Sequence, residues 1–133
     1  MLVHQWLTWL IKSQFVYAAL GIAFNLVSLL VALSTGSTLT QNNPWLGIAV
    51  MLLVVGAAWL GHKQHLKLFA VCNLVLLPAL TIAGVLRHVP QLLALDYSQA
   101  LSSPLFYGFA INLFGVGVML IGLAIAIRTL FKS

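Results

Sequence analysis

Residues 14–34, 45–61, 66–86 and 105–127 form four apolar runs holding a single Asp, Glu, Lys or Arg between them, Lys67 at the very start of the third. Each run is close to the ~20 residues that carry an α-helix across a hydrocarbon core of about 30 Å. In lipid a backbone N–H or C=O has no outside partner, so each run must satisfy its own main chain as a helix. The predicted fold is an all-α integral membrane protein. A four-transmembrane-helix bundle forms a single membrane domain over residues 1–133.

Charge supports lipid as the solvent. The chain carries six Lys or Arg and one acid, Asp96, so charged residues make up 5%. A soluble domain carries about 25%. The cations stand singly at the ends of runs rather than as a basic patch, so no nucleic acid partner is expected. The lipid bilayer is. Cys72 is the only cysteine, which excludes an internal disulfide and a thiolate-rich metal cluster. With four spans, Lys12, Lys63, Lys67, Arg128 and Lys132 fall on one side and Arg87 alone on the other. The positive-inside rule then puts both termini in the cytoplasm, in a membrane read as a bacterial inner membrane. Lys12 followed by an apolar run and Ala32-Leu33-Ser34 loosely fits a signal peptide. The run is longer than a signal core, and it is read as a retained span.

The connections carry their own patterns. In residues 1–12, His4, Gln5, Thr8 and Lys12 fall on one helical face and Val3, Trp6, Leu7 and Leu10 on the other. That pattern, with two tryptophans, predicts an N-terminal amphipathic interfacial helix. Gly36, Asn42, Asn43 and Pro44 mark a turn before Trp45. Residues 61–67 read as a tight basic turn. Between spans three and four, Pro90 and the helical spacing of Val89, Leu92, Leu93, Tyr97 and Ala100 predict a short outer-surface helix. Its Asp96 is placed to pair with Arg87 or His88.

Within the spans, small residues fall on helical faces. Ala18, Gly21, Asn25, Ser28 and Ala32 form one stripe on the first span. Gly108, Asn112, Gly115, Met119, Gly122 and Ala126 form one on the fourth, and Ala110, Gly117 and Ala124 a second, roughly opposite. Such seams let helices approach closely. Two on one helix exceed what one neighbour needs, so the fourth span is expected to meet a helix of another chain. Short echoes, Gly21 to Leu26 against Gly108 to Leu113 and Asn25 to Leu33 against Asn73 to Leu80, imply incompatible duplications and do not establish a repeat.

Candidate chemistry is sparse. An unpaired amide in hydrocarbon is costly, so Asn25, Asn73 and Asn112 require partners, as interhelical hydrogen bonds or as a polar path. Pro78 frees the carbonyl of Leu74 and kinks the third span. His62 and His65 lie at i and i+3, a weak metal pattern with Cys72 or His4 as a further ligand, weakened by the surrounding lysines. No metal and no cofactor is expected. Asp96, His88 and nearby serines hold the residue types of a triad without its context. No pair of carboxylates supports acid–base catalysis, so the chain does not read as an enzyme.

The expected function is that of a small polytopic inner-membrane protein acting through helix–helix contacts. It is read as a structural, accessory or regulatory subunit of a larger membrane complex, with other membrane subunits or a second copy as partner. Gly21, Asn25, Ser28, Gly108, Asn112, Gly115 and Gly122 are the expected contact residues. The alternative is a small oligomeric transporter or channel, with Asn25, Asn73, Pro78 and Asn112 lining an uncharged path.

Overall fold

The computed structural model describes residues 2–40 and 42–132, with the side chains of Leu2, Val3, His4 and Ala100 outside the described set. The readings that used Val3, His4 and Ala100 therefore lie outside the described residues. Among the described residues all regular structure is helical: α1 Leu2–Thr35, α2 Pro44–His62, α3 Leu66–Leu80, α4 Val89–Leu93, α5 Tyr97–Ser102 and α6 Pro104–Lys132. A π-helical stretch, Thr81–Leu86, continues α3. Four segments are long and apolar enough to cross a membrane: Gln5–Thr35, Pro44–His62, Leu66–Leu93 and Pro104–Lys132. This is the predicted four-helix membrane architecture.

The chain ends one helix and starts the next by short-range chemistry. Gly36 closes α1 at φ 80°, a left-handed conformation suited to glycine, and its N–H donates to the Ala32 carbonyl at 2.8 Å. The loop then folds back along α1, where the Leu39 N–H donates to Ser28 Oγ at 3.0 Å. Asn43 caps α2, its Oδ1 accepting from the Trp45 N–H at 3.0 Å, with Pro44 in the first turn. At the other end of α2, the His65 N–H reaches the Leu60 carbonyl at 2.9 Å and the Gln64 N–H reaches Gly61 at 3.1 Å. That pair of bonds is a Schellman closure, with Gln64 at φ 68° where glycine is usual.

The spans form a closed square. α1 packs between α2 and α6, and α3 packs between the same two, so α1 and α3 face each other across the diagonal. The start of α1 and the end of α6 lie at one end, with the 61–66 turn. The 36–43 loop, α4 and α5 lie at the other, called here the distal end. Tyr17, Val54, Phe69 and Met119 fill the interior with no exposure. Leu30, Leu33, Leu53, Leu74, Val75 and Leu120 are all exposed, which in water would be an aggregation surface and in lipid is solvation.

Two elements differ from expectation. Residues 1–12 and the first span do not separate: α1 is unbroken from Leu2 to Thr35, and Leu7 and Ile11 are buried in the bundle core. Lys12 lies on the exposed side with its ammonium 5.4 Å from the Trp9 ring centre, so its charge does not interrupt the helix. The single outer helix of residues 89–101 is two short helices, α4 and α5, broken at residues 94–96, with Leu93 and Tyr97 highly exposed. Asp96 forms no ion pair with Arg87 or His88 among the described residues; its backbone N–H donates to Gln99 Oε1 at 3.2 Å.

Candidate functional site

Polar side chains inside the spans sort into three levels. Nearest the termini, Gln14 on α1 and Asn73 on α3 are fully buried and bond reciprocally across the diagonal. Gln14 Nε2 donates to Asn73 Oδ1 at 3.1 Å, and Asn73 Nδ2 donates to Gln14 Oε1 at 3.2 Å. Gln14 Nε2 also donates to the Val54 carbonyl of α2 at 3.3 Å. Three helices are thus tied by two amides. Sequence reasoning placed Gln14 at a span boundary and gave it no role. The available signal was an amide beginning an otherwise apolar run, which needs a partner wherever it is buried.

At the second level, Tyr17 Oη donates to Asn112 Oδ1 at 2.8 Å, and Asn112 Nδ2 donates to the Gly108 carbonyl at 3.0 Å. The Tyr17 ring occupies the space left by the missing side chain of Gly115. Gly108 stands against the Phe24 ring, and Gly122 against Phe69 and Leu10. The whole Gly108-Gly115-Gly122 seam is therefore filled within the chain, chiefly by α1. The same holds for the α1 stripe: Gly21 receives Met51, Asn25 packs on Gly47 of α2, and Ser28 holds the returning loop. Gly21, Ser28, Gly108, Gly115 and Gly122 are thus packed within the chain, while Asn25 and Asn112 stay part-buried.

At the third level, toward the distal end, lies a cavity of about 440 Å³ bounded by α1, α2, the π-helical continuation of α3, α6 and the 36–43 loop. Asn25 and Asn112 line it, together with Phe24, Asn42, Asn43, Gly47, Met51, Ala83, Gly84, Arg87, His88 and Gly108. Asn25 Nδ2 donates to the Gly21 carbonyl at 2.7 Å. Asn25 sits beside Gly47, within one turn of Pro44, so it is level with the distal end of α2. His88 is buried. Its Nδ1 lies 3.1 Å from the Gly84 carbonyl, which can only accept, so Nδ1 carries the proton. Nε2 then accepts from Asn42 Nδ2 at 3.1 Å. Neutral imidazole and amide clamp the returning loop onto the π-helical stretch. That stretch follows Pro78 by three residues, and its widened turn is read from the Arg87 N–H, which bonds five residues back to Ile82 at 3.0 Å.

The candidate residues therefore do not converge. Asn25 and Asn112 share the cavity. Asn73 is sealed into the Gln14 pair, and Pro78 lies exposed on the outside of α3, off the cavity wall. Arg87, His88 and Asn42 were read as span and turn residues and were missed as cavity residues. The signal for Arg87 was its isolation as the one cation on its side. At the other end, His62 and His65 are exposed, and the His62 ring lies against Trp59 with centroids 5.8 Å apart. No three His, Cys, Asp or Glu among the described residues come together as metal ligands.

Comparison with protein-family models, curated proteins and solved structures finds no match. The fold and site define a class only: an all-helical membrane protein of four spans, packed in its terminal half and hollowed at its distal end.

Proposed function

We propose that this chain is an accessory subunit of a larger inner-membrane assembly, acting through helix–helix contact, with both termini in the cytoplasm. The observation that carries the reading is the second face of α6. Ala110 and Ala124 are exposed, and a side chain built at Gly117 would meet no atom within 4 Å. Leu113, Phe114, Leu120 and Ile121 flank them, also exposed. Small residues every seventh position with large apolar ones between make the surface into which a second helix packs as knobs into holes. The opposite seam of the same helix is already filled by α1, so this face is surplus to the chain's own fold.

Gly117→Leu is the discriminating change, since it alters only this outer face. The variant is expected to keep the unfolding midpoint of the parent while losing the heavier species in blue-native electrophoresis after mild solubilisation. A heavier species that survives Gly117→Leu, or a parent that runs only as a monomer, contradicts the reading.

The cavity favours a second reading, a small oligomeric transporter whose polar path includes Asn25 and Asn112. In that reading the terminal half must open, because Tyr17, Met119, Phe69 and the Gln14–Asn73 pair fill it. Solute flux in proteoliposomes holding this chain alone would support it.

A further inference from the structure

We propose that the distal cavity binds the anionic headgroup of an amphiphile, with Arg87 as its counter-charge. The inference does not depend on whether α6 carries a partner. Arg87 lies on the cavity wall, exposed, and forms no ion pair among the described residues. The only acid of the chain, Asp96, is not part of the cavity. A cavity with one cation and no carboxylate has a positive field and selects an anion over a cation.

The other polar groups narrow the choice. Asn42 Nδ2 is engaged by His88 Nε2 and the Ala83 carbonyl, and both His88 nitrogens are in use, so these donors shape the cavity rather than bind. Asn43 uses its Oδ1 on the Trp45 N–H, which leaves its amide N–H groups as donors on the same cavity lining. A guanidinium on a cavity that also offers an amide donor suits a phosphate or carboxylate oxygen.

Asn25 and Asn112 spend their Nδ2 donors on the Gly21 and Gly108 carbonyls, and apart from these and Thr40 the remaining walls are apolar. Phe24, Leu46, Val50, Met51, Ala79 and Leu80 line the space next to the polar group. Leu46 and Ala79 are exposed on the outside of α2 and α3, so the cavity meets the lipid-facing surface between these helices. At about 440 Å³ it lies within the ~300–1,000 Å³ of small-molecule sites, room for a headgroup and the start of one chain. The shared chemistry is an anionic oxygen group; the apolar walls assign it to an amphiphile rather than to a free ion.

The test uses the full chain in phosphatidylcholine nanodiscs, with thermal unfolding as readout. Hexadecyl phosphate is expected to raise the unfolding midpoint saturably, and hexadecyltrimethylammonium is not. Inorganic phosphate is expected to be at least about tenfold weaker, since it gains nothing from the apolar walls. Arg87→Gln should weaken hexadecyl phosphate by about tenfold or more, the loss of one charge-assisted contact, while Arg128→Gln at the terminal end leaves it unchanged. Ala83→Leu, which fills the cavity without touching charge, should also abolish the effect. Equal stabilisation by the cationic amphiphile, or binding that survives both Arg87→Gln and Ala83→Leu, overturns the site. Inorganic phosphate as effective as hexadecyl phosphate overturns the amphiphile and leaves a free-anion site.

Discussion

Gly115→Leu is expected to destabilise the bundle by about 2–6 kcal/mol, from overpacking at about 1–3 kcal/mol together with a stranded hydroxyl at about 1–3 kcal/mol. Even a Cβ at this position would fall on the Tyr17 ring. Tyr17 has no exposure and therefore no free space to move into. If the ring leaves, its hydroxyl loses Asn112 and is left without a partner in the packed interior, while the Asn112 amide faces the cavity it lines. A loss of that size is a large fraction of the ~5–15 kcal/mol that holds a typical domain together. Gly115→Ala should show a smaller drop of the same origin. Gly117→Leu, two residues away on the open face, should show almost none. Unfolding of the three variants in detergent, followed by loss of helical signal, gives the comparison. Equal stability of the leucine variants at 115 and 117 would mean that α6 is rotated from the orientation described.

The second large effect is expected at the Gln14–Asn73 pair. Gln14→Leu should leave the Asn73 amide stranded, and Asn73→Leu should do the same to Gln14. Each single change is expected to cost about 1–3 kcal/mol, because an unsatisfied buried amide keeps its full desolvation penalty. The double variant removes both polar groups and should recover most of the loss, since replacing both partners by apolar groups of similar size is close to neutral. Interhelical hydrogen bonds in membrane bundles average about 0.6 kcal/mol and reach about 1.7 kcal/mol. The reciprocal geometry and the third bond to Val54 place this pair toward the upper value. A full double-mutant cycle measures the coupling. Additive losses would show that the two amides act independently.

What hydropathy and turn chemistry reveal, the chain displays openly. The four spans follow from run length, the α2 start from Asn43 and Pro44, and the close-packing faces from the spacing of small residues. That Asn25 lies against another helix was also legible, because a stripe of Ala18, Gly21, Asn25 and Ser28 has no reason to meet lipid. Which partner each residue meets was not legible. Gln14 and Asn73 are 59 positions apart and meet only because α1 and α3 sit diagonally with these faces turned inward. That rotation is set by the packing of all four helices, not by either segment alone. The same limit explains the seams of α6. Periodicity showed two small-residue faces, but only the position of Tyr17 and Phe24 shows which one the chain fills itself. The cavity was hidden for a different reason. Asn42 reaches His88 because the loop folds back to Ser28, and an eight-residue connection does not announce its path in one dimension. The unbroken α1 was misread because Lys12 and Gln14 resemble a boundary. One faces outward and the other is consumed in the interior.

The bundle is filled in its terminal half by Tyr17, Phe69, Met119 and the Gln14–Asn73 pair, and hollowed at its distal end. Cysteine labelling with a membrane-impermeant thiol reagent, in a Cys72→Ser background, tests this directly. Ala83→Cys, on the cavity wall, should react when reagent is applied from the distal side and not from the side of the termini. Val54→Cys, with no exposure beside Gln14, should react from neither. Labelling of Val54→Cys from either side in the folded protein would show a continuous polar path and contradict the closed half of the bundle.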